Sequence, residues 1–455
     1  MPNVEVLETS SLGDRSYVVH DGSTALVVDP QRDIDRVESA LSDRGLSCAA
    51  VLETHIHNDY VSGGLELARR TGAGYLVNAE DPVRFDRTAV VDGDRFAFGS
   101  LRVEVMATPG HTVTHLSYLV TDASGDGEPA VFTGGSLLYG SVGRTDLVDP
   151  GLTESLTRAQ YRSARKLAEL PAATRLFPTH GFGSFCSSGA ATGGGSSTIG
   201  DELARNDALT ASDEDAFVAA LIANLTAYPA YYAHMGARNL AGGGPIDLSP
   251  PELADPDQLR KRIDAGEWVV DLRTRTAYAA GHLAGTVGIE LGDQFSTYLG
   301  WLIPWGTPVS LIGDTLDQVG QAQRQLVRIG IDRPETAAVG DPAQLARQAG
   351  DIRGYDIATF PDLRELSAAQ RDFIAVLDVR RDEERSGGAV VRALHIPLHE
   401  IVTRLDEIAD CGKPVWVHCA SGYRASIAAS FLSRAGLAVT LIDDDFARAK
   451  DLGLA

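Results

Sequence analysis

Two short stretches of this chain carry residues whose types and spacing could do chemistry. The first, "THIHNDY" at residues 54–60, follows an apolar run and spaces His55, His57 and Asp59 as His-x-His-x-Asp. Imidazole and carboxylate groups are common ligands of transition-metal ions, so this stretch is a candidate metal site. The second, "CASGYR" at residues 419–424, begins with a cysteine, whose thiolate would be a nucleophile.

Two more histidines occupy similar positions further along the chain. His111 lies in a loop after "TPG", and His180 follows the strand-like stretch "TRLFPT". Histidines at strand ends can converge on one metal ion in an αβ/βα sandwich. The spacing therefore predicts a site that descends from a metal centre.

The sequence around Cys419 predicts a short apolar strand, a loop of small residues and then a helix. Ser421, Gly422 and Tyr423 would turn the chain so that backbone N–H groups point at the sulfur, near the positive end of the helix dipole. Such a loop stabilises a thiolate or a persulfide anion, and Arg424 adds a positive charge for an anionic sulfur donor. We therefore predict Cys419 and Arg424 as catalytic residues, with the three loop residues binding substrate.

The elements that must hold these residues fall into a front part and a repeated rear part. Short strands, turns and amphipathic helices fill residues 1–240, and "NLAGGGPIDLSPPEL" has the composition of a linker. The rear part contains an internal repeat at a shift of 106 residues, which places Gly313 opposite Cys419 and Gln318 opposite Arg424. We predict three domains at residues 1–240, 250–350 and 355–455, and a chemically silent middle domain.

The rear half resembles the rhodanese family of sulfurtransferases. The resemblance rests on "CASGYR" and on the framework segments "DVRRDEE", "HIPL" and "DLRTRTAYAAGHLAGTVGI". It implies two rhodanese-like α/β domains, the first without the active-site cysteine. His282 and His395, which lie in the framework segments, are expected to pack at loops rather than to catalyse.

The front part resembles the metallo-β-lactamase fold, an αβ/βα sandwich. Within it, "GSVGRTDL" and "PTHGFGSFC" are similar to the persulfide dioxygenase branch. That resemblance implies one bound Fe²⁺, with Zn²⁺ as the less favoured ion, held by His55, His111 and an aspartate. It also implies that Arg144 lies near a thiol or persulfide substrate.

Two positions depart from the family pattern. Tyr60 stands where the family has a histidine for a second metal, and Gly135 stands where it has the aspartate ligand. Three outcomes stay open: His57 completes a three-histidine site, water or an anion fills the gap, or the site is empty and the domain is a scaffold. If the pocket has room for the side chain, Gly135→Asp is expected to raise metal content.

Composition excludes some classes of partner. The chain has 455 residues and a formal net charge of -22, a surface that repels the phosphate backbone of nucleic acids. Its 4 cysteines are too few and too scattered for a disulfide framework. There is no signal segment and no apolar run near the about 20 residues that span a bilayer, so we expect a cytoplasmic protein without a membrane partner.

The sequence thus predicts an enzyme of sulfur metabolism. Cys419 would move sulfane sulfur from thiosulfate or a low-molecular-weight persulfide to a thiol acceptor, coupled to a persulfide dioxygenase-like front domain. One alternative is a sulfurtransferase whose front domain only binds, and a second is a thioester hydrolase of the glyoxalase II type. The sulfur donor, the metal and a homo-oligomeric state are left open by the sequence.

Overall fold

The computed structural model describes residues 1–125, 127–189 and 195–455. The chain divides into two compact units. Unit 1 comprises residues 1–246 and 327–330, and unit 2 comprises residues 247–326 and 331–455. The three domain limits drawn from the sequence stay predictions.

Two six-stranded sheets form the framework of unit 1, and in each the strands lie side by side in chain order. The first sheet comprises β1 (Asn3–Thr9), β2 (Asp14–His20), β3 (Thr24–Val28), β4 (Ser47–Leu52), β5 (Gly74–Asn78) and β6 (Thr88–Val90). The second comprises β7 (Arg95–Phe98), β8 (Leu101–Ala107), β9 (Leu116–Asp122), β10 (Ala130–Gly134), β11 (Arg175–Pro178) and β12 (Ser197–Thr198).

Helices cover the outer faces of both sheets in unit 1. They are α1 (Asp35–Asp43), α2 (Gly64–Thr71), α3 (Thr153–Leu167), α4 (Ile199–Arg205), α5 (Asp207–Thr210), α6 (Glu214–Ala223) and α7 (Tyr232–Ala241). One apolar core joins the inner faces of the two sheets, and it includes the rings of Tyr17 and Phe132, whose centroids are 5.3 Å apart. Two further cores lie between a sheet and its helices, which gives helix, sheet, sheet and helix layers.

The strand ends of unit 1 bring the candidate ligands to one edge. Strands β3, β4, β5 and β6 pair in parallel, as do β10 and β11, so their carboxyl ends share an edge within each sheet. The segment of His55 follows β4, His180 follows β11, and His111 lies between β8 and β9. Loops at the carboxyl ends of strands are where a rigid sheet can position side chains for chemistry.

Unit 2 contains a four-stranded, a two-stranded and a five-stranded sheet. Its strands are β13 (Trp268–Asp271), β14 (His282–Leu283), β15 (Val287–Gly288), β16 (Val309–Gly313), β17 (Ala337–Val339), β18 (Ile352–Arg353), β19 (Asp356–Ala358), β20 (Ala375–Asp378), β21 (Leu394–His395), β22 (Val415–His418) and β23 (Val439–Ile442). The remaining helices of the chain are α8 (Pro256–Asp264), α9 (Arg275–Ala280), α10 (Phe295–Leu302), α11 (Leu316–Arg328), α12 (Pro342–Leu345), α13 (Phe360–Glu365), α14 (Ala368–Asp372), α15 (Asp382–Arg385), α16 (Leu405–Ala409), α17 (Tyr423–Arg434) and α18 (Phe446–Asp451).

The two large sheets of unit 2 share one order of parallel strands. The first repeat has the order β15-β13-β16-β17, and the second has β21-β20-β22-β23 with β19 added at the edge. Both repeats also bury one ion pair two residues apart: Arg273 lies 2.7 Å from Asp271, and Arg380 lies 2.7 Å from Asp378. A common order and a common buried pair are what an internal repeat predicts.

No helix within the described ranges combines the length and the apolar character that crossing a membrane requires.

Candidate metal centre and sulfur-carrier loop

Five histidine rings pack together at the sheet edge of unit 1. The ring centroids of His55 and His57 are 4.1 Å apart, and those of His55 and His111 are 4.8 Å apart. His180 joins from the second sheet, with its ring 5.2 Å from that of His111. The fifth ring, His115, stacks on His55 but is held at both nitrogens, by the N–H of Gly135 and by a threonine hydroxyl.

Hydrogen bonds fix which nitrogen is free on two of these rings. A carbonyl can only accept, so His111 donates from Nδ1 to the Arg144 backbone oxygen over 2.7 Å and keeps a lone pair on Nε2. The Thr54 hydroxyl donates to Asp29, so His55 donates from Nδ1 to that hydroxyl and also keeps a lone pair on Nε2. Burial lowers the pKa of both rings, that of His111 to about 3, and neutral imidazoles are metal ligands.

Two carboxylates face the Nε2 atom of the His57 ring. The Nε2 atom of His57 lies 3.2 Å from Glu53 Oε2 and 3.4 Å from Asp29 Oδ1. Burial alone would lower the pKa of His57, but the charges of Asp29 and Glu53 raise it to about 9. A carboxylate that holds one nitrogen of a histidine orients the ring and leaves the other nitrogen for a metal.

Two carboxylates also face one nitrogen of the His180 ring. Its Nδ1 atom lies 2.8 Å from Asp14 Oδ1 and 3.2 Å from Asp59 Oδ2. Although burial lowers it, the pKa of His180 is raised well above the ordinary value by these two carboxylates. The Nε2 atom of His180 faces the Nε2 atom of His55 at 3.4 Å.

The cluster leaves buried polar atoms without partners, which tests whether a metal ion fits. Among the described residues, His57 Nδ1, His111 Nε2 and Asp59 Oδ1 are buried and have no hydrogen-bond partner. The ligand atoms of His55, His57 and His180 lie within 4.8 Å of one another, and so do those of His111, His180 and Cys186. Such atoms are costly unless they bind something, so the residues fit a metal ion that accepts nitrogen and sulfur ligands.

Gly135 supplies no ligand, and the structure shows why none can be added there. A Cβ atom on Gly135 would lie 2.5 Å from Cγ of His111, inside the ring's van der Waals surface. Gly143 also packs against this ring, with its Cβ position 2.7 Å from His111 Nδ1. The pocket therefore lacks the room on which the expected gain of metal in Gly135→Asp depends, because the His111 ring occupies the space of the side chain.

Arg144 is buried and already committed to other groups. Four of its five N–H groups donate within the chain, to both carboxylate oxygens of Asp146 and to the backbone oxygens of Phe185 and Thr226. Its own backbone oxygen holds His111. Arg144 thus fixes the loop around His111. The contact of Arg144 with a substrate stays a prediction.

Sequence reasoning missed several members of this site. His180 was noticed but left out of the ligand set, and Cys186 was counted only as a free thiol. Asp14 and Asp29 were missed altogether, although Asp29 sits in the left-handed region at φ 49, which non-glycine residues rarely adopt. The motif "VVDP" ends a strand with this aspartate, and a charged residue directly after a buried strand was the one available signal.

Cys419 lies where strand β22 ends, in the second repeat of unit 2. Its side chain is buried, and the chain turns through Gly422, at φ 91, into helix α17. A Cβ atom on Gly422 would overlap the Asp443 carboxylate, so only glycine fits this turn. The first N–H groups of α17 have no intrahelical acceptor and form the positive end of the helix dipole beside the cysteine.

The charge of Arg424 is neutralised by a residue that the sequence did not suggest. Its Nη2 atom donates to Glu384 Oε1 over 2.7 Å, and its Nη1 atom donates to the second oxygen over 2.5 Å. Burial raises the pKa of Glu384, but the hydrogen bonds from Arg424 outweigh this and lower it to about 2. The pair is therefore ionised at neutral pH, and the charge of Arg424 is already matched by that of Glu384.

The other predicted substrate-binding residues differ in access. Ser421 is exposed, whereas Tyr423 is partly buried and donates its hydroxyl to the Glu290 backbone oxygen over 2.9 Å. The Tyr298 ring lies 5.9 Å from the Tyr423 ring, centroid to centroid. Helix α10 of the first repeat therefore contributes an aromatic wall beside the loop of the second.

The loop of the first repeat is filled by its own side chain. Gln318 accepts from the Asp314 N–H over 2.7 Å and donates to the Leu272 backbone oxygen over 3.0 Å. A Cβ atom on Gly313 would lie 2.8 Å from Oε1 of Gln318. In the first repeat, a glycine thus stands in place of the cysteine, and the Gln318 amide lies against the loop.

The framework histidines contact protein groups. His282 stacks on Tyr278 and lies 2.8 Å from its backbone oxygen, and His395 lies 2.9 Å from the Arg380 backbone oxygen.

Comparison with known proteins decides the family. Residues 14–180 match the metallo-beta-lactamase superfamily, and residues 360–450 match the rhodanese-like domain. The N-terminal part of the chain belongs to the metallo-beta-lactamase superfamily. The predicted α/β fold class, with this domain in front and a rhodanese-like domain at the rear, is confirmed.

Several individual proteins are similar to this chain. A hydroxyacylglutathione hydrolase of Prochlorococcus marinus (strain MIT 9303) is 36% identical over 163 residues, which is 35% of this chain and 60% of that protein. A metallo-beta-lactamase crystal structure from Staphylococcus aureus subsp. aureus COL has 27% identity and a TM-score of 0.66, and covers 74% of this chain and 99% of its own. ETHE1 from Myxococcus xanthus has 26% identity and a TM-score of 0.46, and covers 53% and 100%. This chain spans 60% to 66% of the length of three curated relatives that it matches.

We predict that Gly135→Asp lowers the stability of the metallo-beta-lactamase domain and does not raise its metal content. The side chain must displace the His111 ring, and overpacking of this kind costs about 1–3 kcal/mol. Urea denaturation and metal analysis after identical loading measure both effects. Gly292→Asp is the control, because nothing lies within 4 Å of its Cβ position. More metal in Gly135→Asp, at unchanged stability, would contradict the packing argument.

We predict that Gly313→Cys, made in a Cys419→Ala background, takes up no sulfur from thiosulfate. The Gln318 amide fills the loop that would have to hold the anion. Intact-mass analysis after thiosulfate measures the uptake. Adding Gln318→Ala should speed alkylation of the introduced thiol, and sulfur uptake by the variant that retains Gln318 would show that the loop is open.

We predict that Glu384→Gln speeds the reaction of Cys419 with thiosulfate. The substitution frees the charge of Arg424, and one charge at a partly buried site changes the barrier by about 1 kcal/mol, or roughly fivefold. The measurement is the second-order rate constant at low salt. Glu383→Gln is the matched control, because Glu383 pairs with Arg381 instead. A slower Glu384→Gln variant would mean that the pair positions Arg424 for catalysis.

Proposed function

We propose that this protein is a sulfur-transfer enzyme in which Cys419 carries sulfane sulfur as a persulfide. The observation that carries the proposal is the rhodanese-like segment at residues 360–450, whose strand-loop-helix places a buried cysteine at the N-terminus of α17. The donors would be thiosulfate or a low-molecular-weight persulfide, and the acceptors would be thiols.

The sulfur transfer needs no external oxidant, because each step breaks one S–S bond as it forms another. The Cys419 thiolate attacks the outer sulfur of thiosulfate, a new S–S bond forms, and the old S–S bond breaks as sulfite leaves with its electron pair. An acceptor thiolate then attacks the outer sulfur of the cysteine persulfide, which regenerates the Cys419 thiolate. The N–H groups at the start of α17 stabilise the anionic sulfur in both steps.

The metallo-beta-lactamase domain would act on a low-molecular-weight persulfide at its histidine cluster. His55, His57 and His111 are the ligands that the sequence suggests; lone pairs on Nε2 of His55 and His111, and a buried Nδ1 of His57 without a partner among the described residues, support them. A bound divalent cation would supply Lewis acidity there. The chain's own groups keep His55 and His111 neutral and orient His180 through Asp14 and Asp59.

A thioester hydrolase is the second candidate function, because the curated relatives are named hydroxyacylglutathione hydrolases. Against it, Tyr60 supplies no second-metal imidazole, its hydroxyl lying 3.0 Å from His57 Nε2, and Gly135 provides no carboxylate. Hydrolysis of a hydroxyacylglutathione thioester by metal-loaded protein, unaffected by Cys419→Ser, would favour this function. Oxygen uptake on glutathione persulfide with stoichiometric iron would favour the persulfide reaction, and neither activity would leave a sulfurtransferase with a binding domain.

We predict that Cys419→Ser abolishes thiosulfate sulfurtransferase activity and the gain of one sulfur atom after thiosulfate. No other residue of the second repeat places a thiol at the start of a helix. Intact-mass analysis and a sulfite-release assay measure the two effects. Cys411→Ser is the matched control, since Cys411 is an exposed cysteine of the same repeat. Sulfur uptake that survives in Cys419→Ser would overturn the assignment.

A further inference from the structure

Cys186 is a buried thiol in the loop that follows β11, next to the histidine cluster. The Arg144 N–H donates to the Cys186 backbone oxygen over 2.8 Å, and the Arg144 backbone oxygen accepts from His111 Nδ1 over 2.7 Å. One residue therefore holds both the Cys186 backbone and the His111 ring, which keeps the two residues beside each other.

The ligand atoms of these residues lie close together. Those of Cys186, His111 and His180 are all within 4.8 Å of one another. The Nε2 atom of His111 is buried, carries a lone pair and has no hydrogen-bond partner in the described ranges. An unpartnered nitrogen, a second imidazole and a thiol together form a set of ligands that suits a transition metal.

Carboxylates nearby are placed to orient rings. Asp14 and Asp59 hold the Nδ1 atom of His180, and Asp29 and Glu53 face the Nε2 atom of His57. None of these four carboxylates belongs to the group that contains His111. Within that group, the thiol of Cys186 is the donor that could become anionic on binding a cation; without one, burial and the charge of Asp59 raise the pKa of this thiol and keep it neutral.

We propose that Cys186 is a metal ligand, and that a divalent cation would be held by Cys186, His111 and His180, with Nε2 of His55 adjacent. A thiolate would then supply the negative charge that Gly135 cannot. On binding, the S–H bond breaks, the sulfur–metal bond forms and the proton leaves to solvent, so no redox partner is needed. The thiolate favours Zn²⁺ or Fe²⁺ over Mg²⁺ or Ca²⁺. This inference is independent of sulfur transfer at Cys419.

Cobalt(II) is a suitable probe because a cobalt–thiolate bond gives a charge-transfer absorption in the near ultraviolet. The full chain, freed of metal with a chelator, is titrated with Co²⁺ without oxygen. Four proteins are compared: wild type, Cys186→Ser, Cys48→Ala and Cys419→Ser. Cys48 is the matched control, a buried cysteine that packs in the core under α1 and α2. Cys419→Ser removes the thiol through which the loop before α17 could bind the ion instead.

Wild type, Cys48→Ala and Cys419→Ser should each show the absorption and one bound Co²⁺ per chain. Cys186→Ser should lose the absorption and bind Co²⁺ roughly tenfold or more weakly. The proposal is overturned if wild type binds no Co²⁺, if it binds the ion without the absorption, or if the absorption persists in Cys186→Ser.

A second measurement covers the case in which Cys186→Ser does not fold. X-ray absorption spectroscopy of zinc-loaded Cys419→Ser protein counts the sulfur atoms bound to the metal. One sulfur per zinc ion supports Cys186 as a ligand, and a shell of nitrogen and oxygen alone overturns it.

Discussion

The carboxylate of Asp29 joins the parts of the metallo-beta-lactamase domain on which the histidine cluster depends. It accepts from the Thr54 N–H over 2.8 Å and from the hydroxyls of Thr54 and Thr179, which belong to the loops after β4 and β11. A buried carboxylate is tolerated only when such donors surround it. The loops that carry His55 and His180 are therefore held by one charge, and the free nitrogen of His55 follows from that charge through Thr54.

Carboxylates have different partners at the two candidate sites. In the histidine cluster, carboxylates face one nitrogen each of His57 and His180 and orient these rings. In the rhodanese-like domain, Glu384 binds Arg424 directly and removes its charge from the surroundings of Cys419. A loop of backbone N–H groups, which no side chain can neutralise, then becomes the main source of positive potential for an anionic sulfur.

The sequence predicted what local patterns determine. The α/β fold class and the strand-loop-helix around Cys419 follow from hydrophobic runs and turn residues within about twenty positions. The partners of these residues come from far along the chain: Asp14 meets His180 across 166 positions, and Glu384 meets Arg424 across 40. Such contacts depend on how the sheets pair, which a single sequence does not encode locally. The lack of space at Gly135 likewise depends on where the folded chain places the His111 ring.

The His111 ring packs against the backbones of two glycines, Gly135 and Gly143, and its Nδ1 atom is tied to a carbonyl. At these two positions the ring meets main-chain atoms, which cannot give way as a side chain would. The ring is thus in one orientation before any ion arrives, and it has little conformational entropy left to lose on binding. The glycines at positions 135 and 143 therefore leave room for the ring in this orientation. The affinity of the cluster for an ion is then set partly by atoms that never touch the ion.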